Sequence, residues 1–262
     1  MPHKYALADL TSAEFAALPA PPVLLLPLGS QEDQGPHAPM GDFMLADILA
    51  RRIAHAAHDA GTLTLTAPTL PFGAADHFGG KAGGLALSPA HFRGVLHDLL
   101  TDMLRHHPRH IVILNGHGGN TPIIHEVTLA IRRTTGIVIP CLYLWKIARQ
   151  LMERRLGPDG AGRYGHGAEP LASLTLALRP DQARPEYLAR PDTPASLLDL
   201  PVSGFGTVRF QNIDIDAPVE FPELAPNSTT ADATAASAEL GASLAQELVT
   251  LAAAFIRHID RP

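Results

Sequence analysis

Three polar, glycine-bearing segments of this chain concentrate side chains that can bind a divalent metal ion. Carboxylate oxygens and neutral imidazole nitrogens are the donors that zinc and similar ions take in proteins. If one aspartate bridged two ions, the set would form a two-metal site, which activates water near neutral pH. The carboxylates and imidazoles of these segments are Glu32, His37, Asp42, His117, His166 and Glu169.

Each segment also has a simpler interpretation. The sequence Gly-His-Gly-Gly-Asn at 116–120 could bind phosphate at the start of a helix, although it lacks the spacing of the usual phosphate-binding motifs. Glu32 and Asp42 could be turn or helix-capping residues. His166 and Glu169 could begin a surface helix, where an acid is favourable.

The chain has 14 histidines, and most of them are not candidates for chemistry. His77 is the exception outside the three segments, because it lies in a glycine-rich loop and could line a pocket. Trp145, at the end of a predicted strand, could pack in the core or form an apolar pocket wall. Nine histidines on predicted helices or their ends are expected to be solvated or half-buried: His55, His58, His91, His97, His106, His107, His110, His125 and His258.

Short apolar runs alternate with amphipathic segments along the chain. Strands are predicted at 23–28, 63–68, 111–115 and 137–145, and helices at 43–60, 89–106, 122–134, 146–156, 169–178 and 229–259. The region 180–226 is predicted to be irregular, with one edge strand at 208–213. This alternation indicates a doubly wound, three-layer α/β/α sandwich with a mostly parallel central sheet. Ligands bind beyond the carboxyl ends of such strands, where the first two polar segments would meet.

The composition excludes several classes of protein. The chain has 262 residues, of which 46% are hydrophobic, and a formal charge of −6 without a basic run, so nucleic-acid binding is not expected. The single cysteine, Cys141, rules out an internal disulfide and a cysteine-based zinc site. The N-terminal residues lack a signal-peptide pattern, and the longest apolar stretch, 15–28, is shorter than the about 20 residues of a membrane helix. We therefore expect one soluble, cytoplasmic domain over residues 1–262.

Three motifs, in order, resemble those of the creatininase family of metal-dependent amidohydrolases. They are Leu-Pro-Leu-Gly-Ser-Gln-Glu-Asp-Gln-Gly-Pro-His-Ala-Pro-Met-Gly-Asp at 26–42, Leu-Asn-Gly-His-Gly-Gly-Asn at 114–120 and Gly-His-Gly-Ala-Glu-Pro-Leu-Ala-Ser-Leu at 165–174. The resemblance implies an α/β/α domain, two divalent metals (usually zinc or manganese) and a hexameric assembly. It also implies hydrolysis of an amide C–N bond in a small cyclic or formyl-bearing substrate, although one branch of the family cleaves peptides.

The resemblance assigns roles to three residues. Glu32 matches the first carboxylate ligand of the family, and His117 matches the histidine ligand of its second motif. His166 matches the histidine proposed to transfer a proton. A metal-activated water would then attack the amide carbonyl, and the imidazole of His166, which titrates near pH 7, would protonate the leaving nitrogen.

The chain departs from the family pattern at four positions. Gln34 stands where the family has a ligand histidine, and Gly119 where creatininase has a glutamate. Asp42 lies one residue before the usual place of the bridging aspartate. In the third motif Leu171 occupies the place of the usual carboxylate, and Glu169 stands two residues earlier.

Two alternative sets of metal ligands are compatible with these departures. In the first, which the sequence favours, His37 and Glu169 replace the lost ligands, because they have suitable donor atoms and lie close in sequence. In the second, Glu32, Asp42 and His117 hold a single ion. The cofactor is thus one or two divalent ions per chain, zinc or manganese.

The predicted function is hydrolysis of a small-molecule amide by a soluble homo-oligomer. Asn115 and Asn120 are predicted to orient the loop and the substrate, and His77 to contact the substrate. Creatinine itself is a doubtful substrate, because aromatic residues are few. The alternatives are a catalytically silent metal- or metabolite-binding protein of the same fold, and a nucleotide-binding protein that uses the loop at 116–120.

Overall fold

A parallel four-stranded sheet forms the centre of the protein. The computed structural model describes residues 4–78, 80–157, 160 and 162–261. The strands are β1 (Val23–Leu28), β2 (Thr64–Thr66), β3 (His110–Asn115) and β4 (Cys141–Tyr143), in the spatial order β2-β1-β3-β4. Leu28 pairs with Asn115, which pairs with Tyr143 on the far side. The carboxyl ends of these three strands therefore form one edge.

Helices cover both faces of this sheet. In the described part of the chain they are α1 (Ser12–Ala16), α2 (Phe43–Asp59), α3 (Pro89–Arg105), α4 (Thr121–Thr135), α5 (Leu144–Leu156), α6 (Leu171–Leu178), α7 (Phe221–Leu224) and α8 (Ala238–Ile259). Ser88 caps α3 by accepting a hydrogen bond from His91 N at 3.3 Å, and Pro89 occupies the first helical position. Thr11 and Glu14 form a capping box at α1.

The side chains of β1 alternate between two apolar cores. Val23 and Leu25 pack with apolar side chains of α2, α5 and α8, whereas Leu24 and Leu26 pack with those of α3 and α4. All six residues of β1 are buried, as expected for a strand that is covered on both faces. The predicted three-layer α/β/α sandwich with a parallel central sheet is confirmed.

The strand order determines where a crevice opens. From β1 the chain passes through α2 to β2 on one side of the sheet, and from β3 it passes through α4 to β4 on the other side. Because parallel crossovers share one hand, α2 and α4 lie on opposite faces. Between β1 and β3 the chain thus diverges in two directions, which is the usual ligand position in an open α/β sheet.

The region 180–226 was expected to be irregular, and this prediction is wrong. It contains an antiparallel sheet of β5 (Ser196–Leu197), β6 (Leu200–Gly204), β7 (Thr207–Phe210) and β8 (Ile213–Asp216). The single edge strand predicted at 208–213 is in fact two strands around a tight turn. Gln211 and Asn212 both have positive φ, 49° and 64°, in this turn. Two consecutive residues of positive φ are typical of a hairpin turn, but glutamine is an unusual choice for one.

Three element boundaries also differ from the prediction. The strand predicted at 137–145 is reduced to β4, because α5 begins at Leu144 and takes in Trp145. The helix predicted from Glu169 begins at Leu171, after Pro170. The helix predicted from 229 begins at Ala238, where Ser237 accepts a hydrogen bond from Leu240 N at 3.1 Å.

One helix of the described residues, α8, is long and apolar enough to cross a membrane by length and composition alone. In this fold it packs against α2, α5 and α6. Leu244, Leu248 and Ile256 of α8 are buried in the same core as Val23 and Leu25 of β1. Its apolar character is thus explained by its position in the core.

Candidate functional site

Two carboxylates and one imidazole meet at the carboxyl edge of the sheet. His117 Nδ1 lies 3.1 Å from Glu32 Oε1 and 3.3 Å from Asp42 Oδ2. One ligand atom from each of the three residues lies within 4.8 Å of the others. All three side chains are buried. The structure therefore brings together, from loops 75 residues or more apart in sequence, the three residues of the single-ion arrangement.

The segment between β1 and α2 folds back on itself so that its two acids meet. Gly41 N donates a hydrogen bond to Glu32 O at 2.9 Å. Ser30 N donates to Asp42 Oδ1 at 2.7 Å, and Ser30 Oγ lies 3.1 Å from His117 Nδ1. These contacts let Asp42 reach the cluster although it stands one residue early in the motif.

The loop after β3 is held by the amides of two buried asparagines. Asn115 Nδ2 donates to His117 O at 2.6 Å, and Asn115 Oδ1 accepts from His117 N at 3.1 Å. Asn120 Nδ2 donates to Gly29 O at 3.2 Å, and its Oδ1 accepts from Ala74 N at 2.9 Å. Both amides are fully buried and have their partners within the chain. The structure thus shows how they orient the loop, and it gives neither one a place in the wall of the cavity described below.

The three ionisable groups of the cluster shift one another's pKa values. Burial raises the pKa of Asp42, and the neighbouring charge of Glu32 raises it further. Burial also opposes ionisation of Glu32, but the charge and hydrogen bond of His117 outweigh it and lower its pKa. Burial alone would lower the pKa of His117, whereas Glu32 and Asp42 together raise it well above its ordinary value. Two carboxylates thus compete for one imidazole, an arrangement that a divalent cation would stabilise.

One oxygen of the cluster is available for a ligand. Glu32 Oε2 is buried and has no hydrogen-bond partner among the described residues. Its other oxygen, Oε1, accepts from Gln34 Nε2 at 2.9 Å. A buried oxygen without a partner is costly, so this donor set fits a bound metal ion.

His166 lies in the same cavity but outside the cluster of ligand atoms. Its Nε2 lies 2.6 Å from the backbone oxygen of Asp33 and donates to it, which leaves Nδ1 as the nitrogen for a substrate. Its ring is held between Phe78 and Phe221, with centroids 4.8 Å and 4.6 Å away. Burial lowers the pKa of His166, although Glu32 opposes this effect, so the neutral ring is favoured.

His37 and Glu169, the residues of the rebuilt two-metal arrangement, are not part of this group of three ligand atoms. Among the described residues neither belongs to a group of three ligand atoms within 4.8 Å of one another. The carboxylate of Glu169 accepts from Ser173 Oγ at 2.6 Å and from Ser173 N at 3.3 Å, so it is engaged at the start of α6. His37 packs beside Gly35, where burial lowers its pKa to about 4. The geometry therefore favours the alternative in which three residues hold one ion.

Gly119 has no room for a side chain. A Cβ atom there would overlap the Ala74 carbonyl oxygen and lie 2.6 Å from His117 Nε2. A glutamate could enter this position only if the backbone moved. Where creatininase has a glutamate, this chain therefore has a glycine that lets the backbone pack closely against His117 and Ala74.

A cavity of about 550 Å³ contains the cluster and His166. This volume lies within the range of small-molecule sites. His77 lines this cavity and is exposed, and its contact with the substrate stays a prediction. Trp145, which the sequence analysis names as a possible pocket wall, lines the cavity and is also buried in the core. Sequence reasoning missed the other aromatic members of this wall, because they come from distant elements: Phe78, Tyr143, Tyr164 and Phe205.

Comparison with known proteins agrees with this geometry. A family model described as creatininase, creatinine amidohydrolase, matches residues 8–256. The chain belongs to the creatininase family. It is 31% identical to creatinine amidohydrolase of Pseudomonas putida over 195 residues, which cover 67% of this chain and 72% of that protein. It is also 31% identical to the mycofactocin precursor peptide peptidase of Mycobacterium ulcerans (strain Agy99) over 134 residues, 48% of this chain and 52% of that protein.

Solved creatininase structures share the whole fold. A Zn-Zn form of a creatininase mutant superposes with a TM-score of 0.77 at 26% identity and covers 99% of this chain and 100% of its own. The form named creatininase Mn has a TM-score of 0.76, with the same identity and the same coverage. The chain is thus a metal-dependent hydrolase of the creatininase family, which acts on C–N bonds, and its cofactor is a divalent metal ion.

Proposed function

We propose that this protein hydrolyses the amide C–N bond of a small cyclic or formyl-bearing molecule. The observation that carries the proposal is the buried cluster of Glu32, Asp42 and His117 in one cavity with His166. The cavity volume suits a small molecule better than a folded partner. Creatinine amidohydrolase among the relatives supports the same bond type.

Glu32, Asp42 and His117 would hold the metal ion. The bound metal supplies Lewis-acid activation of a water and of the amide carbonyl. Ser30 keeps Asp42 in place through its backbone N–H. The Oδ1 atom of Asn115 accepts from both His117 N and Asn120 Nδ2 and so keeps the backbone of His117 in place. Protein side chains thus fix the ligands before the substrate enters.

His166 would transfer the proton. With Nε2 donating to Asp33 O, its neutral ring can accept a proton at Nδ1 from the attacking water. The same nitrogen can then deliver that proton to the departing amine nitrogen. The rings of Phe78 and Phe221 restrict the imidazole to one orientation.

The second candidate is a catalytically silent member of the fold that binds a metal or a metabolite. The observation that favours it is Gln34, whose amide donates to Glu32 Oε1 where the family has a ligand histidine. Such a protein would bind a metal ion and small amides without turning them over.

Turnover by the metal-loaded protein distinguishes these functions. The protein is stripped with a chelator, reloaded with zinc or manganese, and supplied with lactams, N-formyl amines, linear acetamides and dipeptides. We expect release of amine from the cyclic or formyl compounds, and loss of that release in the His117→Ala variant. Stoichiometric metal without turnover of any compound would instead support the silent binder.

We also propose the remaining properties that the sequence predicts. The protein would act in the cytoplasm, as one domain over residues 1–262, on small molecules and not on nucleic acid. A homo-oligomer, with a hexamer as the expected form, is measurable by light scattering during size-exclusion chromatography.

A further inference from the structure

The hairpin between β6 and β7 reaches the wall of the cavity. Its tip is Gly204-Phe205-Gly206, and Gly206 adopts a positive φ of 76°. The pairing of β6 with β7 is shifted between Val202 and Gly204, which bends the strand at this point. Because glycine stands on both sides, Phe205 is the only side chain that the tip presents.

Phe205 is the exposed end of a group of three phenylalanines. Its ring lies parallel to that of Phe221, with centroids 5.9 Å apart and planes at 11°. Phe221 in turn lies 4.3 Å from Phe78, and both of these rings are buried. Phe205 is 52% exposed although it lines the cavity. Phe221 therefore fixes the ring from one side, and part of its surface remains available for a ligand.

The cavity has a charged part and an apolar part. Glu32, Asp42 and His117 line the charged part, and Phe205 and Leu224 line the apolar part. No lysine or arginine is among the described residues that line this cavity. Away from the metal cluster, a substrate carboxylate would thus find no lysine or arginine among these residues, whereas a flat apolar group would find an aromatic ring.

We propose that Phe205 determines substrate specificity by stacking on a planar, uncharged group of the substrate while the amide lies at the Glu32–Asp42–His117 cluster. This inference rests on the proposed function, because it assumes that the amide is bound at the cluster. The expected substrates are therefore neutral amides that carry an aromatic or heteroaromatic ring.

Two hydroxamates test this inference without turnover. Benzohydroxamate and acetohydroxamate chelate zinc through the same two oxygens and differ only in phenyl against methyl. Their affinities for the zinc-loaded protein are measured by calorimetry. We expect the wild type to bind benzohydroxamate about 10-fold more tightly, since aromatic stacking adds to burial of the ring.

Phe205→Ala should bring the two affinities to within about twofold of each other, because the stacking partner is gone. Phe205→Leu, which keeps an apolar side chain, should give an intermediate ratio. The matched control is Phe210→Ala, since Phe210 lies on the same small sheet, is 49% exposed and is not among the residues that line the cavity. It should keep the wild-type ratio, and thermal melts would verify that all variants are folded.

The outcomes separate the inference from the function on which it rests. An unchanged ratio in Phe205→Ala, or an equal loss in Phe210→Ala, would overturn the role of Phe205 while leaving the metal site intact. A zinc-loaded wild type that binds neither hydroxamate would overturn the proposed function itself.

Discussion

Replacing Asp42 by asparagine separates the charge of the cluster from its shape. Asparagine has nearly the same size, and its Oδ1 can still accept the hydrogen bond from Ser30 N. The substitution removes one of two buried carboxylates that share the single imidazole of His117. We therefore expect a small effect on the metal-free protein and a large effect on the metal-loaded protein.

The magnitudes follow from the geometry. Two unit charges at 4.8 Å, the largest separation within the cluster, repel by about 3.5 kcal/mol at an effective dielectric constant of about 20. Protonation of Asp42, whose pKa is raised by burial and by Glu32, already relieves part of this repulsion. Loss of the attraction between Asp42 and His117 at 3.3 Å, about 5 kcal/mol at the same dielectric constant, opposes this relief. Because the cost of burying the ionised Asp42 carboxylate is removed as well, the opposing effects nearly cancel, and the metal-free variant should lie within about 2 kcal/mol of the wild type in stability.

The response to zinc should almost vanish in this variant. Free zinc at about 100 times Kd stabilises the wild type by about 2.7 kcal/mol. Mutation of groups that only orient a ligand already lowers metal affinity by about 10- to 100-fold, and loss of a ligand should cost at least as much as the upper value. At the same zinc concentration the variant would then gain only about 0.4 kcal/mol.

Thermal melts with and without zinc measure both effects. The matched control is Glu169→Gln, because Glu169 is equally buried, is engaged by Ser173 and lies outside the cluster. It should keep the wild-type zinc response. A full zinc response in Asp42→Asn, or loss of the response in Glu169→Gln, would refute the assignment of the ion to the three-residue cluster.

Three further predictions address other parts of the molecule. His166→Ala should lower kcat by about 100- to 10,000-fold with zinc affinity unchanged by calorimetry; unchanged turnover would transfer the proton-donor role to another residue. Burial raises the pKa of Cys141 to about 12, so at pH 8 roughly one thiol in 10,000 is ionised, against about one in four for an ordinary cysteine. Iodoacetamide should thus label the native protein about 1,000-fold more slowly than the urea-unfolded protein, and equal rates would contradict this. Phe92→Ala should cost about 3–5 kcal/mol in urea unfolding, because Phe92 is fully buried beside β1 and β3; a loss under 1 kcal/mol would contradict that packing.

The sequence was sufficient to predict the fold and the meeting of the first two polar segments. Fully apolar runs such as Val23–Leu28 mark strands that are covered on both faces, and parallel pairing puts their carboxyl ends on one edge. The position of Glu32 near His117 follows from that topology alone. The third segment also reaches the cavity, since His166 lines it.

Contacts made by single atoms could not be predicted in this way. His37 lies close in sequence to Glu32, and Glu169 lies close to His166, and both have suitable donor atoms. Yet Ser173 engages Glu169, and His37 packs beside Gly35. Sequence proximity says which loop carries a residue, but a metal site needs donor atoms within about an ångström of their places. Which side chains of a loop meet that requirement depends on its backbone.

The small antiparallel sheet was missed because its signals are weak. Its strands have two to five residues, and the turn at Gln211 and Asn212 lacks the glycine that usually marks such a hairpin. Because the sheet was missed, the position of Phe205 in the cavity wall was missed too. That position depends on the contact of Phe205 with Phe221, which lies in a different element. Few aromatics in the composition did not mean few in the cavity.

A crystal structure of the zinc-loaded protein, with anomalous data at the zinc edge, would show directly which residues bind the ion. We expect an anomalous peak within bonding distance of Glu32, Asp42 and His117. A peak bound instead by His37 or Glu169, or a fully loaded protein with no peak at the cluster, would contradict it.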